Sequence, residues 1–391
     1  MKTLTFFLTK KQLSICNFDI MNKNIADSLQ LIISKLRKND TNGFEAFLGF
    51  DACIDNIVRV LKDKDENNET GFYTNSRQFG EFIISREHKS CGIELQTHLS
   101  KIGGNMAITA NALGNLGARI ECVGTFGLPE VLPFFKSISS NCVLHSVGDT
   151  ITATALEFND SKIILFDPGP YNSLSWEGIK DILGIDRIKQ LLSGKQLISF
   201  LNWSEIQGSS RIWTGILEEI IPSIRFSEKQ KYFFTDFSDC SRRTKEEIRS
   251  AIDLLGRFKK YFKVVISLNQ NEADLVARAF DHGGYSPDDE FIKKLFRSID
   301  TDVLVIHRSG DAIAYDGELI EKCDTFFCDE PTVLTGGGDN FNAGFCYSLL
   351  NEFDLLQSLI FANAVSGSYV KTGISPDINK LINFLELNKR T

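Results

Sequence analysis

Three consecutive glycines precede an aspartate in Thr335-Gly-Gly-Gly-Asp339, and Ala343, Phe345, Leu349 and Leu350 follow at helical spacing. Gly336, Gly337 and Gly338 would leave free backbone N–H groups at the positive end of that helix, which suits an anion or a phosphate. The missing Cβ atoms let a ligand approach the backbone. Asp339 has two readings. It can cap the helix, or, beside a phosphoryl group in transfer, it can orient an attacking hydroxyl and accept its proton. A capping carboxylate alone would not need three glycines before it.

Three further groups carry chemistry. Asn269-Gln-Asn-Glu272 opens a helix after an apolar run. It reads either as a capping box or as oxygen ligands for Mg2+, direct or through waters, since that ion prefers to keep several waters. Lys101-Ile-Gly-Gly-Asn105 is a glycine turn before a helix, with Gly104 at the turn and Asn105 placed to bond a hydroxyl. Gly49-Phe-Asp-Ala-Cys-Ile-Asp55 puts two carboxylates, Asp51 and Asp55, just after a buried strand. Each can accept from ligand hydroxyls or cap a helix.

The elements that must position these residues alternate. Helical patterns at 105–116, 208–221, 244–261, 272–280 and 288–299 are separated by apolar runs at 119–123, 197–201, 232–235, 264–268 and 303–306. Alternation of this kind predicts βαβ units and a mostly parallel sheet covered on both faces, an α/β fold. In such sheets ligands bind outside the carboxyl ends of the strands, where most of the residues above fall. Residues 150–158 and 162–166 flank Asn159-Asp160-Ser161 and predict an antiparallel hairpin. Residues 1–43 read as an extension, with a short apolar strand-like piece and then Ile25, Leu29, Ile32, Ile33 and Leu36 on one helical face.

With 391 residues, 42% hydrophobic and 24% charged, the chain is an ordinary globular protein and not a disordered one. A net charge of -8 works against nucleic acid or an anionic membrane as partner and favours small molecules or proteins. The 9 cysteines include no CxxC pair and no zinc-ligand cluster. No stretch has the roughly 18 to 20 consecutive apolar residues of a membrane helix, and the first ten residues lack a cleavage site, so the expectation is a cytoplasmic protein.

Taken in order, the motifs resemble the ribokinase-like superfamily, in particular its PfkB-type carbohydrate kinases, from about Phe44 to Pro376. The signature TGAGDxFxAGF is similar to residues 335–345, with Gly337 in place of alanine. The family's NxxE is similar to Asn269 and Glu272, its GGNxAxxxAxxLxxLG to residues 103–117, and its late ANAxxA to Ala362-Asn363-Ala364. The resemblance implies a three-layer αβα sandwich with a mostly parallel sheet and a small β lid, formed by 57–99 and 150–166 within a kinase domain of 44–391. It implies a sugar kinase using ATP and Mg2+, with Asp339 as base and Gly336 to Gly338 as anion hole. Asp51, Asp55, Gly104 and Asn105 would face a sugar-like substrate. Asn269 and Glu272 would hold the metal through water, and Thr335, His307, Ser309 and Asn363 would lie on the nucleotide side. His307-Arg-Ser309 stands where the family carries TxG, Ile108 where it often carries Asn, and Asp236-Phe-Ser238 where it has DxN. GFDACID and GGNMAITAN are also similar to segments of ADP-dependent sugar kinases, so ADP as donor stays open. So do a nucleoside acceptor, a non-catalytic binding protein of the same fold, and a homodimer through the lid.

Overall fold

The computed structural model describes residues 10–38, 43–64, 70–226, 231–326 and 328–388. The apolar piece expected at the very start of the chain lies outside the described residues. In chain order the strands are β1 (Glu45–Phe50), β2 (Cys53–Lys64), β3 (Thr70–Phe72), β4 (Leu95–Gly103), β5 (Arg119–Gly124), β6 (Cys142–Ser146) and β7 (Ile151–Glu157). They continue as β8 (Lys162–Leu165), β9 (Leu197–Leu201), β10 (Tyr232–Asp236), β11 (Lys263–Asn269), β12 (Val303–His307), β13 (Asp311–Tyr315) and β14 (Ile320–Asp324).

Among the described residues one sheet runs β14-β13-β12-β11-β10-β9-β1-β5-β6. From β6 to β12 every neighbouring pair is parallel, and β13 and β14 close the far edge as an antiparallel hairpin. The strands are apolar on both faces because both faces are covered. Along β1, Ala46 and Leu48 pack with the helices Asn105–Asn115, Gly337–Leu350 and Leu355–Thr372. Phe47 and Phe50 enter the opposite layer, with Trp213, Phe233 and Phe258. Each such side chain contributes about 1.5 to 3 kcal/mol when fully buried. The result is a three-layer αβα sandwich, as the alternation of apolar runs and helices implied.

The N-terminal segment is more extensively helical than its apolar stripe indicated, forming one helix over Lys10–Arg37. Leu29, Ile32, Ile33 and Leu36 are buried in the same layer as the last two helices, Leu355–Thr372 and Ile378–Asn388. They leave the surface because the stripe finds an apolar partner there.

A second sheet rises directly from β1. Its central strand β2 pairs antiparallel with β4 and parallel with β7, and β8 folds back antiparallel on β7. The hairpin around Asn159-Asp160-Ser161 forms as expected, with Glu157 opposite Lys162. One face is anchored by the helix Ser76–Ser85, whose Phe79 packs on Val58, Val60, Tyr73, Leu156 and Phe158. This sheet draws on 53–103 and 151–165, somewhat more than the lid segments expected, because β2 begins only two residues after β1 ends.

Candidate active site

From β1 the chain moves to β5 and β6 on one side, then returns to β9 on the other. The topological switch point therefore lies between β1 and β9, where α/β sheets open a crevice at the strands' carboxyl ends. Two residues just past those ends meet there. Asn202, at a left-handed φ of 57°, donates from Nδ2 to Asp51 Oδ2 at 2.9 Å. The same carboxylate accepts the backbone amides of Asn105 at 2.6 Å and Met106 at 2.9 Å. Gly104 makes the approach possible: at φ 89° a Cβ there would lie 2.9 Å from Ala52 Cα and 3.0 Å from Asp51 Oδ2. Asp51, expected among the carboxylates facing a ligand, instead caps the helix Asn105–Asn115. It is 0% exposed and both its oxygens are engaged by protein donors. Burial raises its pKa, and these hydrogen bonds oppose the rise.

Asp55 is the other case. It stands on β2 opposite Lys101 of β4, half-buried, with its Oδ1 accepting the Cys53 thiol at 3.4 Å. A Cβ on Gly103 would lie 2.4 Å from that oxygen, so the carboxylate rests against bare backbone. Its second oxygen has no hydrogen-bond partner among the described residues, and neither has the side chain of Asn105. Burial raises the Asp55 pKa, opposed first by Lys101.

The glycine turn sits across from this pair. Gly336 is left-handed at φ 94°, and a Cβ there would be 2.8 Å from the Tyr369 hydroxyl. The helix Gly337–Leu350 begins at the next residue, and the amides of Gly338 and Asp339 make no hydrogen bond within the described residues. Thr335, expected on the nucleotide side, is turned toward the second sheet. Its carbonyl accepts from Lys101 Nζ at 2.6 Å and from the Tyr369 hydroxyl at 2.9 Å, and its hydroxyl accepts from Lys162 Nζ. Asp339, half-buried in the first turn, has its pKa raised well above the usual carboxylate range. Burial is the main cause, then the charges of Asp236 and Asp51, with Lys101 opposing.

Behind the turn, the ends of β10 and β11 are tied to the same helix. Asp236 accepts from Asn342 Nδ2 at 2.7 Å and from the Ser238 amide at 2.8 Å, while Asn342 Oδ1 accepts from Ser267 Oγ at 2.7 Å. Burial pushes the Asp236 pKa up to about 6. The capping box of Asn269 and Glu272 is formed: Glu272 N donates to Asn269 Oδ1 at 3.0 Å, and the Asn269 amide donates back to Glu272 Oε2 at 2.8 Å. Glu272 is itself 3% exposed. Its pKa is raised well above normal by burial and by the charge of Asp236.

On the far side of the glycine turn is a cavity of about 590 Å³, lined among others by Asn269, His307, Ser309, Gly337, Gly338 and Asn363. That volume is within the usual range for a small-molecule site. His307 Nε2 is buried there without a partner, and burial lowers its pKa to about 4, so the imidazole is neutral at pH 7. A Cβ on Gly338 would lie 3.0 Å from the His307 ring. Asn363 Nδ2 is occupied by the carbonyls of Cys323 and Asp324 at 3.3 and 3.2 Å. Thus Asp55, Asn105, Asp339 and the glycines converge on one turn, with Asn269, His307, Ser309 and Asn363 beyond it. Sequence reasoning passed over Lys101, Lys162, Asn202 and Tyr369 as functional residues. Only Asn202 carried a usable signal, its place immediately after the apolar run of β9.

This fold and this site define a ribokinase-like carbohydrate kinase, a phosphotransferase with an alcohol group as acceptor. The profile of the prokaryotic ketohexokinase family matches residues 27–387, and the chain belongs to that family. Ketohexokinase of Haloferax volcanii is 26% identical over 353 residues, covering 87% of this chain and 90% of the relative. Among solved structures, a phosphofructokinase-2 variant from Escherichia coli superposes with a TM-score of 0.63 at 11% identity, covering 88% of this chain and 98% of that one. A fructokinase with bound ATP from Xylella fastidiosa gives 0.59 at 14% identity, with the same coverage of 88% and 98%.

Proposed function

We propose that this chain transfers the γ-phosphoryl group of ATP to a hydroxyl of a ketohexose. The observation that supports this best is the position of the glycine turn. Gly337 and Gly338 line the nucleotide-sized cavity on one side, while Thr335 and Asp339 adjoin Lys101 and Asp55 on the other. A donor and an acceptor bound on the two sides would meet at the unpartnered amides of Gly338 and Asp339. Asp55 and Asn105 have open acceptor and donor sites for sugar hydroxyls. Asp339 takes the proton of the attacking hydroxyl as its oxygen bonds to the γ-phosphorus, and the electron pair of the broken bond leaves on ADP. The amides of the turn hold the charge that spreads over the phosphoryl oxygens.

Mg2+ fits the surroundings of this turn. Among the described residues no group of three or more His, Cys, Asp or Glu is arranged to hold a metal ion, so a metal would rely on phosphates and waters, as Mg2+ commonly does. Asp236 disfavours the charged forms of Glu272 and Asp339, and Asp339 disfavours that of Glu272; a cation nearby would relieve that repulsion. Asn269 and Glu272 are the residues that would hold its water shell, and the ion would supply neutralisation of phosphate charge.

The test is a phosphoryl-transfer assay with ATP or ADP against ketohexoses, aldohexoses and nucleosides. The expected result is the highest kcat/KM for ATP with a ketohexose. Preference for a nucleoside or for ADP would overturn the reading, and binding without turnover across the panel would leave a non-catalytic member of the fold.

A further inference from the structure

Two lysines on opposite edges of the second sheet, Lys101 of β4 and Lys162 of β8, converge on Thr335 at the head of the glycine turn. They differ in what else they touch. Lys162 has a carboxylate close by, Glu157 at 3.8 Å, its cross-strand neighbour. Among the described residues the hydrogen-bond partners of Lys101 are neutral: the Thr335 carbonyl at 2.6 Å and the Tyr369 hydroxyl at 3.1 Å. Among the described residues no carboxylate oxygen comes within 4.0 Å of its Nζ. Asp55 and Asp339 act on it from beyond that distance, opposing the fall in pKa that burial causes.

A half-buried ammonium without a contact ion pair is costly unless an anion completes its shell. We propose that Lys101 is a catalytic residue whose ammonium contacts the terminal phosphoryl group of the bound nucleoside triphosphate and stays with it during transfer to the sugar. The inference rests on the kinase reading above and adds a residue to it. Three features support the contact. Nζ already lies at the first residue of the turn whose amides face the phosphoryl group. It is held between the carboxylate that binds the acceptor and the one that takes its proton. Its two neutral partners can keep their hydrogen bonds while a third ammonium N–H points to phosphate, because an ammonium carries three donors. Lys101 remains protonated throughout. The P–O bond to the sugar forms, the bond to the leaving diphosphate breaks, and the hydroxyl proton goes to Asp339.

Because β4 belongs to the small sheet, the same contact couples that sheet to the phosphoryl group. Tyr369 braces the ammonium from the helix Leu355–Thr372 and is a positioning residue, since it reaches phosphate only through Lys101.

The experiment compares binding of the β,γ-imido analogue of ATP and of ADP, with Mg2+ and D-fructose present, to the full-length wild type, Lys101→Met and Lys101→Arg. A charge-assisted hydrogen bond to the terminal group makes Lys101→Met lose roughly 10- to 100-fold in affinity for the analogue, with ADP affinity held within about twofold. Lys101→Arg keeps most of the analogue's preference over ADP. Equal losses for both nucleotides, or no loss for either, assign Lys101 to holding the turn and overturn the proposal. A wild type that binds neither nucleotide breaks the kinase reading itself, which separates the two failures.

Discussion

Asp339 is the residue where geometry and chemistry can be separated most cleanly. As a member of the first helical turn it would be replaced by Asn with little structural cost, because Asn serves helix N-termini about as well as Asp. As the proton acceptor it would not, since general-base contributions are typically about 100- to 10,000-fold. Asp339→Asn is therefore expected to lose at least about two decades of kcat with melting temperature and ATP affinity nearly unchanged. Near-wild-type turnover would refute the role. In that role the same residue would set an acid limb. Its pKa is raised by burial, then by Asp236 and Asp51, so the ionised base is lost as pH falls through a value above the ordinary Asp value of about 4. kcat/KM for the wild type should fall on the acid side at a correspondingly high pH, and the residual activity of Asp339→Asn should lack that limb. Asp339, Asp55 and Asn105 were legible as candidates because their motifs are local. Lys101 was not, because only pairing with β2 and contact with Thr335 give an otherwise ordinary strand lysine its place.

At the scale of elements, the turn of Asn269 and Glu272 shows a cap and a ligand candidate occupying the same atoms. The capping box satisfies the helix Gln270–Ala279, yet it buries a carboxylate beside Asp236 with no cationic side chain in contact among the described residues. In Glu272→Gln the amide oxygen can still accept from the Asn269 N–H, but the bond that Asn269 Nδ2 donates to the other carboxylate oxygen is lost along with the buried charge. The lost hydrogen bond and the removed buried charge act in opposite directions, so the melting temperature is expected to stay close to that of the wild type. If the carboxylate also holds the water shell of Mg2+, the Mg2+ concentration for half-maximal rate rises several-fold, which a metal titration of initial rates reads directly. An unchanged metal dependence would leave Glu272 as a cap alone. Sequence could show both possibilities here and could not choose, because the spacing required by a capping box also suits a ligand pair.

For the whole molecule, the apolar stripe of the N-terminal extension packs on the rest of the sandwich. Ile32 is 0% exposed against the C-terminal helices, so the helix Lys10–Arg37 shares their layer. Ile32→Ala is expected to cost about 2 to 4 kcal/mol in denaturant unfolding, in a single transition with the rest of the domain. A separate early transition, or no loss, would show that residues before 43 form an independent extension. Among the described residues no helix is long and apolar enough to cross a membrane.

By itself the sequence determined what periodicity and local turn chemistry can encode. The αβα layers followed from apolar runs alternating with amphipathic stretches, the hairpin at Asn159-Asp160-Ser161 from turn residues between strands, and the glycine turn from its missing Cβ atoms. Strand order is different in kind, since β1 pairs with β5 and β9 through contacts about 75 to 150 residues apart along the chain, and no local pattern records them. That order alone brought Asn202 to Asp51, made Asp51 a cap while leaving Asp55 open, and carried Lys101 and Lys162 from opposite edges of the second sheet to Thr335. Hydrogen bonds between distant segments decide which of two identical carboxylates is consumed by the fold and which keeps an oxygen open, because a buried carboxylate must be satisfied wherever the chain places it.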